Sequence, residues 1–381
     1  MISKSTAVFL LFIAHSFAQT PLSSVPPARL AHLRHGVNLS AWFGGVWDPK
    51  GYTKEHFETW TTSSDLALIK SAGFDHVRLP INPQPMMDAM RRGAGTEYYG
   101  YLDAAVKMIL DAGLAVELDM HPDSDFKAKL SQDDFVERYA DYWRGLAQHY
   151  SSWDSERVFF EILNEPEMRD PYRWYGVETK LAAAIRQAAP THTIIAPGAR
   201  WDDDDDLVFL EPLRDPNVIY VFHFYEPHIF THQGATWGAF YWHWLHGLHY
   251  PSSPVNAAQV ATELPEAPLR LYVIRYGQDH WDADRIDTEI SQAADWAKKN
   301  GVALICNEFG VYRRGVDQGR IYGADPEDRA AWLKDVRTSL ERHNIGWAMW
   351  DYSDNFGVAT KKDGNAVFDE SVVKALGLKM P

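Results

Sequence analysis

Two carboxylates stand where short apolar runs break off. Glu165 closes Val158-Phe159-Phe160-Glu161-Ile162-Leu163-Asn164 and precedes Pro166, whose ring forbids further ladder pairing; Glu308 closes Val302 to Asn307. Each run reads as a buried strand, and a carboxylate beside an amide at a strand mouth suits general acid chemistry. Taken alone, Asn164-Glu165-Pro166 fits an exposed Glu in a proline turn equally well. The other strand ends change that balance. They carry Asn38, Arg78, His121, His223 with Tyr225, and Trp350. Buried polar groups cost free energy unless hydrogen-bonded, so convergence on one pocket explains them together.

The elements that must position these residues repeat one grammar: helix, left-handed stop, strand. Asp65 to Ala72, with Ser64 as N-cap, stops at Gly73 and leads to strand Phe74 to Leu79, which Pro80 ends. Tyr98 to Ala112 stops at Gly113 before strand Leu114 to Asp119. Asp284 to Asn300 stops at Gly301 before Val302 to Asn307, and Pro326 to His343 stops at Asn344 before Ile345 to Trp350. Helix Asp133 to Tyr150, with a capping box from Ser131 and Asp134, leads into the Glu165 strand. Helix Tyr172 to Ala189, strand Thr193 to Ala196, a helical stretch near Asp206 to Leu213, and strand Val218 to Phe224 follow. With His35 to Leu39 the strands number eight, each apolar on both faces and alternating with helices. This pattern predicts one (β/α)8 TIM barrel over residues 35–381, with long aromatic-rich loops on the C-terminal face. An open doubly wound sheet fits less well, because no glycine-rich phosphate turn follows the first strand.

Two connections exceed ordinary loop length. Ser40 to Ser63 carries Trp42, Phe43, Trp47, Tyr52, Phe57 and Trp60. The insertion at 227–282 carries Phe230, Trp237, Phe240, Tyr241, Trp242, Trp244, Tyr250 and Trp281. Both follow strands, so both belong on the catalytic face as cleft walls, with part of their aromatic content closing the barrel top.

A net charge of −15 without Lys/Arg clusters excludes nucleic acid and anionic membrane surfaces as partners and favours a neutral ligand. Residues 1–18 read as a signal peptide, with Lys4, the apolar run Ala7 to Ile13 and the small residues of Ser16-Phe17-Ala18; residues 19–34 read as an N-terminal arm or linker. The mature chain is expected to be secreted or periplasmic, free of membrane and monomeric. Cys306 is the single cysteine, so no intramolecular disulfide can form.

Leu163-Asn164-Glu165-Pro166, Asn307-Glu308-Phe309-Gly310, Val77-Arg78-Leu79-Pro80, His223-Phe224-Tyr225 and Trp347-Ala348-Met349-Trp350 resemble glycoside hydrolase family 5, the cellulase-like retaining β-glycosidases. The resemblance runs strand by strand over the mature chain. It implies Glu165 as acid/base and Glu308 as nucleophile. It further implies Asn164 on the sugar 2-hydroxyl, Arg78 and Tyr225 against the nucleophile, His121 and His223 lining the site, and Trp350 under the reacting sugar. The chemistry concurs. Retention needs one acid for the leaving oxygen and one carboxylate for the anomeric carbon, about 5 to 5.5 Å apart.

The implied substrate is a β-glucan polysaccharide or oligosaccharide, the implied activity endo-β-1,4-glucanase, and no cofactor or metal is expected. β-Mannanase, β-1,3- or mixed-linkage glucanase and exo-glucosidase activities share the same core residues. Outside that family, His243, His246 and His249, three apart, suggest a metal-dependent barrel hydrolase, although the usual further zinc ligand is missing. The run Asp202 to Asp206 reads as a solvated loop, lacking the glycine of a calcium loop. A non-catalytic sugar-binding barrel would keep the aromatic cleft without needing both carboxylates.

Overall fold

The computed structural model describes residues 23–46, 51–93, 95–362 and 364–381. The signal-peptide segment 1–18, the start of the arm and Trp47 lie outside them. Eight parallel strands close a barrel: His35–Asn38, His76–Ile81, Ala115–Met120, Val158–Glu161, Ile194–Ala196, Val218–Phe224, Ala303–Phe309 and Gly346–Met349. Each pairs with its sequence neighbours, and the first closes the ring on the eighth, His35 facing Trp347. Helices fill the connections, so the (β/α)8 reading describes the chain. The expected stops are left-handed: φ is 107° at Gly73, 76° at Gly113, 65° at Gly301 and 58° at Asn344.

Local expectations differ in three places. Pro80 does not end its strand, which continues to Ile81 with Pro80 opposite Asp119. The Arg78 carbonyl accepts from Leu39 N–H at 2.9 Å, so Pro80, two residues on, faces the same side, just where the first strand has ended. No ladder partner waits there for the missing N–H. The helix expected from Asp65 begins at Ser63, after a shorter one over Lys54–Thr59, and Thr62 caps it in a reciprocal box with Asp65; Ser64 is already inside. Ser131 does not cap helix Asp133–Tyr150: its hydroxyl donates to the Ala128 carbonyl at 2.8 Å, and the N-cap is Gln132 without a side-chain bond.

Along a strand, alternate residues enter the lumen. Its lower part is apolar, built from Ala115, Phe159, Ile195, Ile219, Val221 and Ile305, and joined by Val25 and Leu33 of the N-terminal arm. That arm forms the short helix Pro27–Ala31 and is pinned by Ser23 N–H to Gly301 O at 2.9 Å. It approaches the eighth strand so closely that a Cβ on Gly346 would lie 1.9 Å from the Leu33 carbonyl oxygen. Two residues higher on the same strands the lumen turns polar, with Glu117 above Ala115 and Glu161 above Phe159, both fully buried. The functional residues stand on this polar floor.

The insertion folds as helices Pro254–Glu263 and Ala267–Gln278, packed on each other through buried Ala257, Val260, Leu269 and Val273. Its first part returns aromatic residues over the barrel mouth. Among the described residues no helix is long and apolar enough to cross a membrane.

Candidate active site

The fourth strand delivers Glu165 as its sequence suggests, but the backbone there is unusual. Glu165 has φ 43°, a left-handed conformation that non-glycine residues rarely adopt. Its N–H donates to Asp202 Oδ2 at 2.8 Å, and Asn164 N–H donates to the Met120 carbonyl at 2.8 Å, fixing the turn from below and beside. The Glu165 carboxyl then reaches the lumen axis, where Oε1 meets His223 Nδ1 at 3.1 Å and Oε2 lies 4.0 Å from the Lys127 ammonium.

Glu308 arrives by a different device. The register between the sixth and seventh strands shifts so that Phe222 faces Cys306 but His223 faces Glu308. The extra residue, Asn307, makes a bulge, and bulges re-aim side chains. Asn307 thereby points Nδ2 at Glu117 Oε1 (2.7 Å) and Glu161 Oε2 (3.0 Å), while the next residue also gains the lumen. Both Glu308 oxygens are held, Oε1 by Arg78 Nη1 at 2.5 Å and Oε2 by the Tyr225 hydroxyl at 2.9 Å.

Arg78 organises the floor. Wholly buried, it makes a bidentate contact with Glu161 (2.7 and 2.8 Å), reaches the side-chain oxygens of Asn38 (3.0 Å) and Asn164 (2.8 Å), and lies 3.0 Å from Asp119 Oδ2. One guanidinium cannot neutralise every carboxylate around it. Glu161 wins: burial would raise its pKa, but Arg78 overrides and brings it down to about 2. Burial pushes Glu117 and Asp119 well above the carboxylate range instead. The floor thus holds its charge in balance by keeping part of its acid protonated. His121 donates or accepts at Asp119 Oδ2 (2.8 Å) and stacks on Trp350 with ring centroids 5.6 Å apart; burial lowers its pKa to about 4, so it is neutral.

His223 takes the opposite state. Burial would lower its pKa, yet Glu308, Glu165 and Asp202 raise it to about 9. For Glu165 burial acts upward, and the His223 hydrogen bond and charge, with Lys127, bring it down to about 2. The pair therefore carries one proton at neutral pH, resting on the imidazole. The consequence for stability has a definite sign. The folded pKa lies above the ordinary 6.5, so the stabilisation is complete below that value and is lost as pH rises through about 9. The difference in urea midpoint between the wild type and His223→Gln is expected to narrow from pH 6.5 to 9; a constant difference would contradict the assignment.

Glu165, His223 and Glu308 each place one ligand-type atom within 4.8 Å of the others. They lie in a cleft of ≈ 1670 Å³ whose walls include Trp350, Trp201 and Trp237. Every site residue expected from the sequence is thus gathered here: Asn38, Arg78 and Asn164 in the floor, His121, Glu165, His223, Tyr225, Glu308 and Trp350 at the cleft. The insertion supplies Trp237, 45% exposed, whereas Trp242 is half-buried against His228 and His232, with its ring stacked on that of His232 at 4.6 Å.

Other expectations fail. Asp202 to Asp206 is not a solvated loop: Asp202 is fully buried, Asp204 and Asp206 nearly so, and Arg200 Nε holds Asp206 at 2.7 and 2.8 Å. Nor do the insertion histidines share a helical face. Only Trp242–Trp244 is helical there, His246 faces Glu263 at 3.9 Å, and His249 pairs with Asp328 at 2.6 Å. The floor acids Glu117, Asp119 and Glu161 escaped the sequence reading, although their signal was present: carboxylates at alternate positions of otherwise apolar strands.

Comparison with known proteins agrees with the geometry. The family model described as cellulase, glycosyl hydrolase family 5, matches residues 40–356. Endoglucanase C of Acetivibrio thermocellus is 29% identical over 332 residues, covering 85% of this chain and 92% of that protein. Endoglucanase 3 of Fibrobacter succinogenes is 28% identical over 92% of this chain and 53% of its own length. Among solved structures, endoglucanase Cel5A of Thermotoga maritima superposes with a TM-score of 0.70 at 26% identity, covering 92% of this chain and all of that one. The chain belongs to glycosyl hydrolase family 5, the cellulases.

Proposed function

We propose that this glycoside hydrolase cleaves β-1,4-glucan chains internally, with retention, using Glu308 as nucleophile and Glu165 as acid/base. The observation that carries the reading is the approach of the two carboxylates: an oxygen of each lies within 4.8 Å of the other on the floor of an open cleft. That approach matches the about 5 to 5.5 Å of retaining enzymes and not the about 6.5 to 9.5 Å that inverting enzymes keep for a water on the far face of the sugar. The endoglucanases among the relatives support the glucan substrate.

In the first step Glu308 attacks the anomeric carbon while the glycosidic C–O bond breaks, and the departing oxygen takes a proton from Glu165. Arg78 and Tyr225 each hold one oxygen of Glu308 and so aim the carboxylate. The proton on His223 Nδ1 reaches Glu165 across their 3.1 Å contact. Once Glu308 is esterified its charge is gone, and with it a main support of the His223 imidazolium. In the second step water attacks the glycosyl ester, Glu165 accepts its proton, and the sugar leaves with its original configuration.

A panel of β-1,4-glucan, mannan, mixed-linkage glucan and β-1,3-glucan, followed by viscosity and reducing ends, tests the substrate. Viscosity of the β-1,4-glucan should fall well ahead of reducing-end release; action confined to mannan, or release of single terminal units, would overturn the endo-glucanase reading. We further propose that the enzyme acts outside the cytoplasm as a monomer. The apolar run near the N-terminus supports export, and a mature chain still starting at Met1 would argue against it.

Trp237 tests the cleft wall. Its exposed face at the cleft offers an apolar surface to pyranose C–H groups. Trp237→Ala should weaken binding of long oligosaccharides by about 1 to 3 kcal/mol and barely affect short aryl glycosides. Trp242→Ala should instead lower the melting temperature and harm both substrates, since its ring packs on His228 and His232.

A further inference from the structure

Asp202 is the buried acid that the two-carboxylate mechanism leaves unused, and it touches both partners of the acid/base pair. Its side chain accepts the Glu165 N–H at 2.8 Å, and its own carbonyl accepts the His223 N–H at 2.7 Å. Its Oδ2 also lies 3.7 Å from His223 Nε2, beyond hydrogen-bond length but close for a charge pair. Asp202 (φ 55°) and Glu165 (φ 43°) are both left-handed, so two disfavoured turns meet at this one carboxyl. Fully buried, it cannot act on substrate directly. Among the described residues, Asp202 Oδ1 and His223 Nε2 have no hydrogen-bond partner.

We propose that Asp202 is a positioning residue for the acid/base: it clamps the turn that presents Glu165 and backs the far nitrogen of His223, so that Nδ1 carries the proton facing Glu165. The inference rests on the acid/base reading of Glu165. Linking the mouths of the fourth, fifth and sixth strands through one residue makes the Glu165–His223 contact a built feature of the barrel.

The charges around this group come from every neighbouring strand and helix. Glu161 lies within 4.8 Å on the inner side. Glu178, from the outer helix Pro171–Ala188, is also buried and feels the Asp202 charge. Glu165, Glu308 and Asp119 also act on His223, Lys127 lies 4.0 Å from Glu165 Oε2, and His121 nearby is titratable but neutral. Burial sets the Asp202 carboxyl well above its ordinary value, and the His223 charge and the Glu165 N–H oppose that rise, so its ionised form depends on the imidazolium beside it. Because the pair titrates as a unit, the alkaline limb of kcat/KM reports loss of its shared proton.

Asp202→Asn keeps an oxygen for the Glu165 N–H and removes the charge behind His223. It should fold normally, keep its KM, and move the alkaline limb of kcat/KM to lower pH by about one unit. Asp202→Ala also releases the turn, and should lose on the order of 10²-fold in kcat on an unactivated oligosaccharide while losing much less on a dinitrophenyl glycoside, whose leaving group needs no proton. An alkaline limb of Asp202→Asn superimposed on that of the wild type would overturn the inference, even if Asp202→Ala fails to fold. So would equal losses of Asp202→Ala on both substrates. Glu165→Gln separates the two levels: near-normal rates on the oligosaccharide would remove the acid/base reading and this inference with it. If Glu165→Gln loses those rates while the Asp202 variants show neither effect, the role of Asp202 alone falls.

Discussion

Glu308→Gln should leave a folded protein that has lost on the order of 10⁴-fold or more of kcat on an unactivated β-glucan oligosaccharide. The change removes one charge and almost no volume, so Tyr225 and Arg78 keep a neighbour of the same shape while attack on the anomeric carbon stops. Glu165→Gln should lose a comparable factor on that substrate. It should lose much less in the first step on an activated aryl glycoside, which departs without protonation. With azide, Glu165→Ala should yield a β-glycosyl azide, because the small anion enters the space of the missing acid/base from the same face as water. An α-azide would mean that the sugar is not held on Glu308. Circular dichroism and urea midpoints close to wild type would show that the losses are chemical.

The second large effect is expected at Arg78, in stability as well as turnover. The guanidinium is fully buried among Glu161, Asp119 and Glu308, with Asn38 and Asn164 on its remaining donors. Arg78→Met removes the cation and leaves those acids facing one another in a buried floor. Breaking a buried pair from one side costs about 3 to 5 kcal/mol. Arg78→Lys should recover only part of this, since an ammonium cannot make the bidentate contact with Glu161 while also reaching Glu308. Urea denaturation is the measurement, and a midpoint for Arg78→Met equal to that of the wild type would show that the floor does not depend on this charge.

The parts of this architecture legible in the sequence were those set by local chemistry. Gly73, Gly113, Gly301 and Asn344 marked helix ends because glycine and asparagine readily take the left-handed conformation that commonly stops a helix before a strand, and each is left-handed. Glu165 and Glu308 could be found because strand ends are where a barrel presents chemistry. What was hidden depends on neighbours distant in sequence. Pro80 reads as a terminator until the first strand is seen to end beside it. Asp202 sits in a run of five acids that composition assigns to solvent, and only the left-handed turn at Trp201 and Asp202 carries it inward. Glu117 and Glu161 look out of place in apolar strands until Arg78 and Asn307 reach them from across the lumen. The register shift that aims both Asn307 and Glu308 inward has no local signature, since it belongs to the pairing of two strands and not to either one.

Retention requires Glu308 to form a covalent bond to the sugar. A 2-deoxy-2-fluoro-β-cellobioside with a good leaving group slows the second step and allows the glycosyl-enzyme to accumulate. Intact mass measured after incubation, followed by peptide mapping, identifies the carrier. The expected result is one fluorosugar per chain, on the peptide containing Asn307-Glu308-Phe309, with activity returning as the label is hydrolysed. A label on the peptide containing Glu165, or turnover of the natural glucan with no label at any residue, would contradict it.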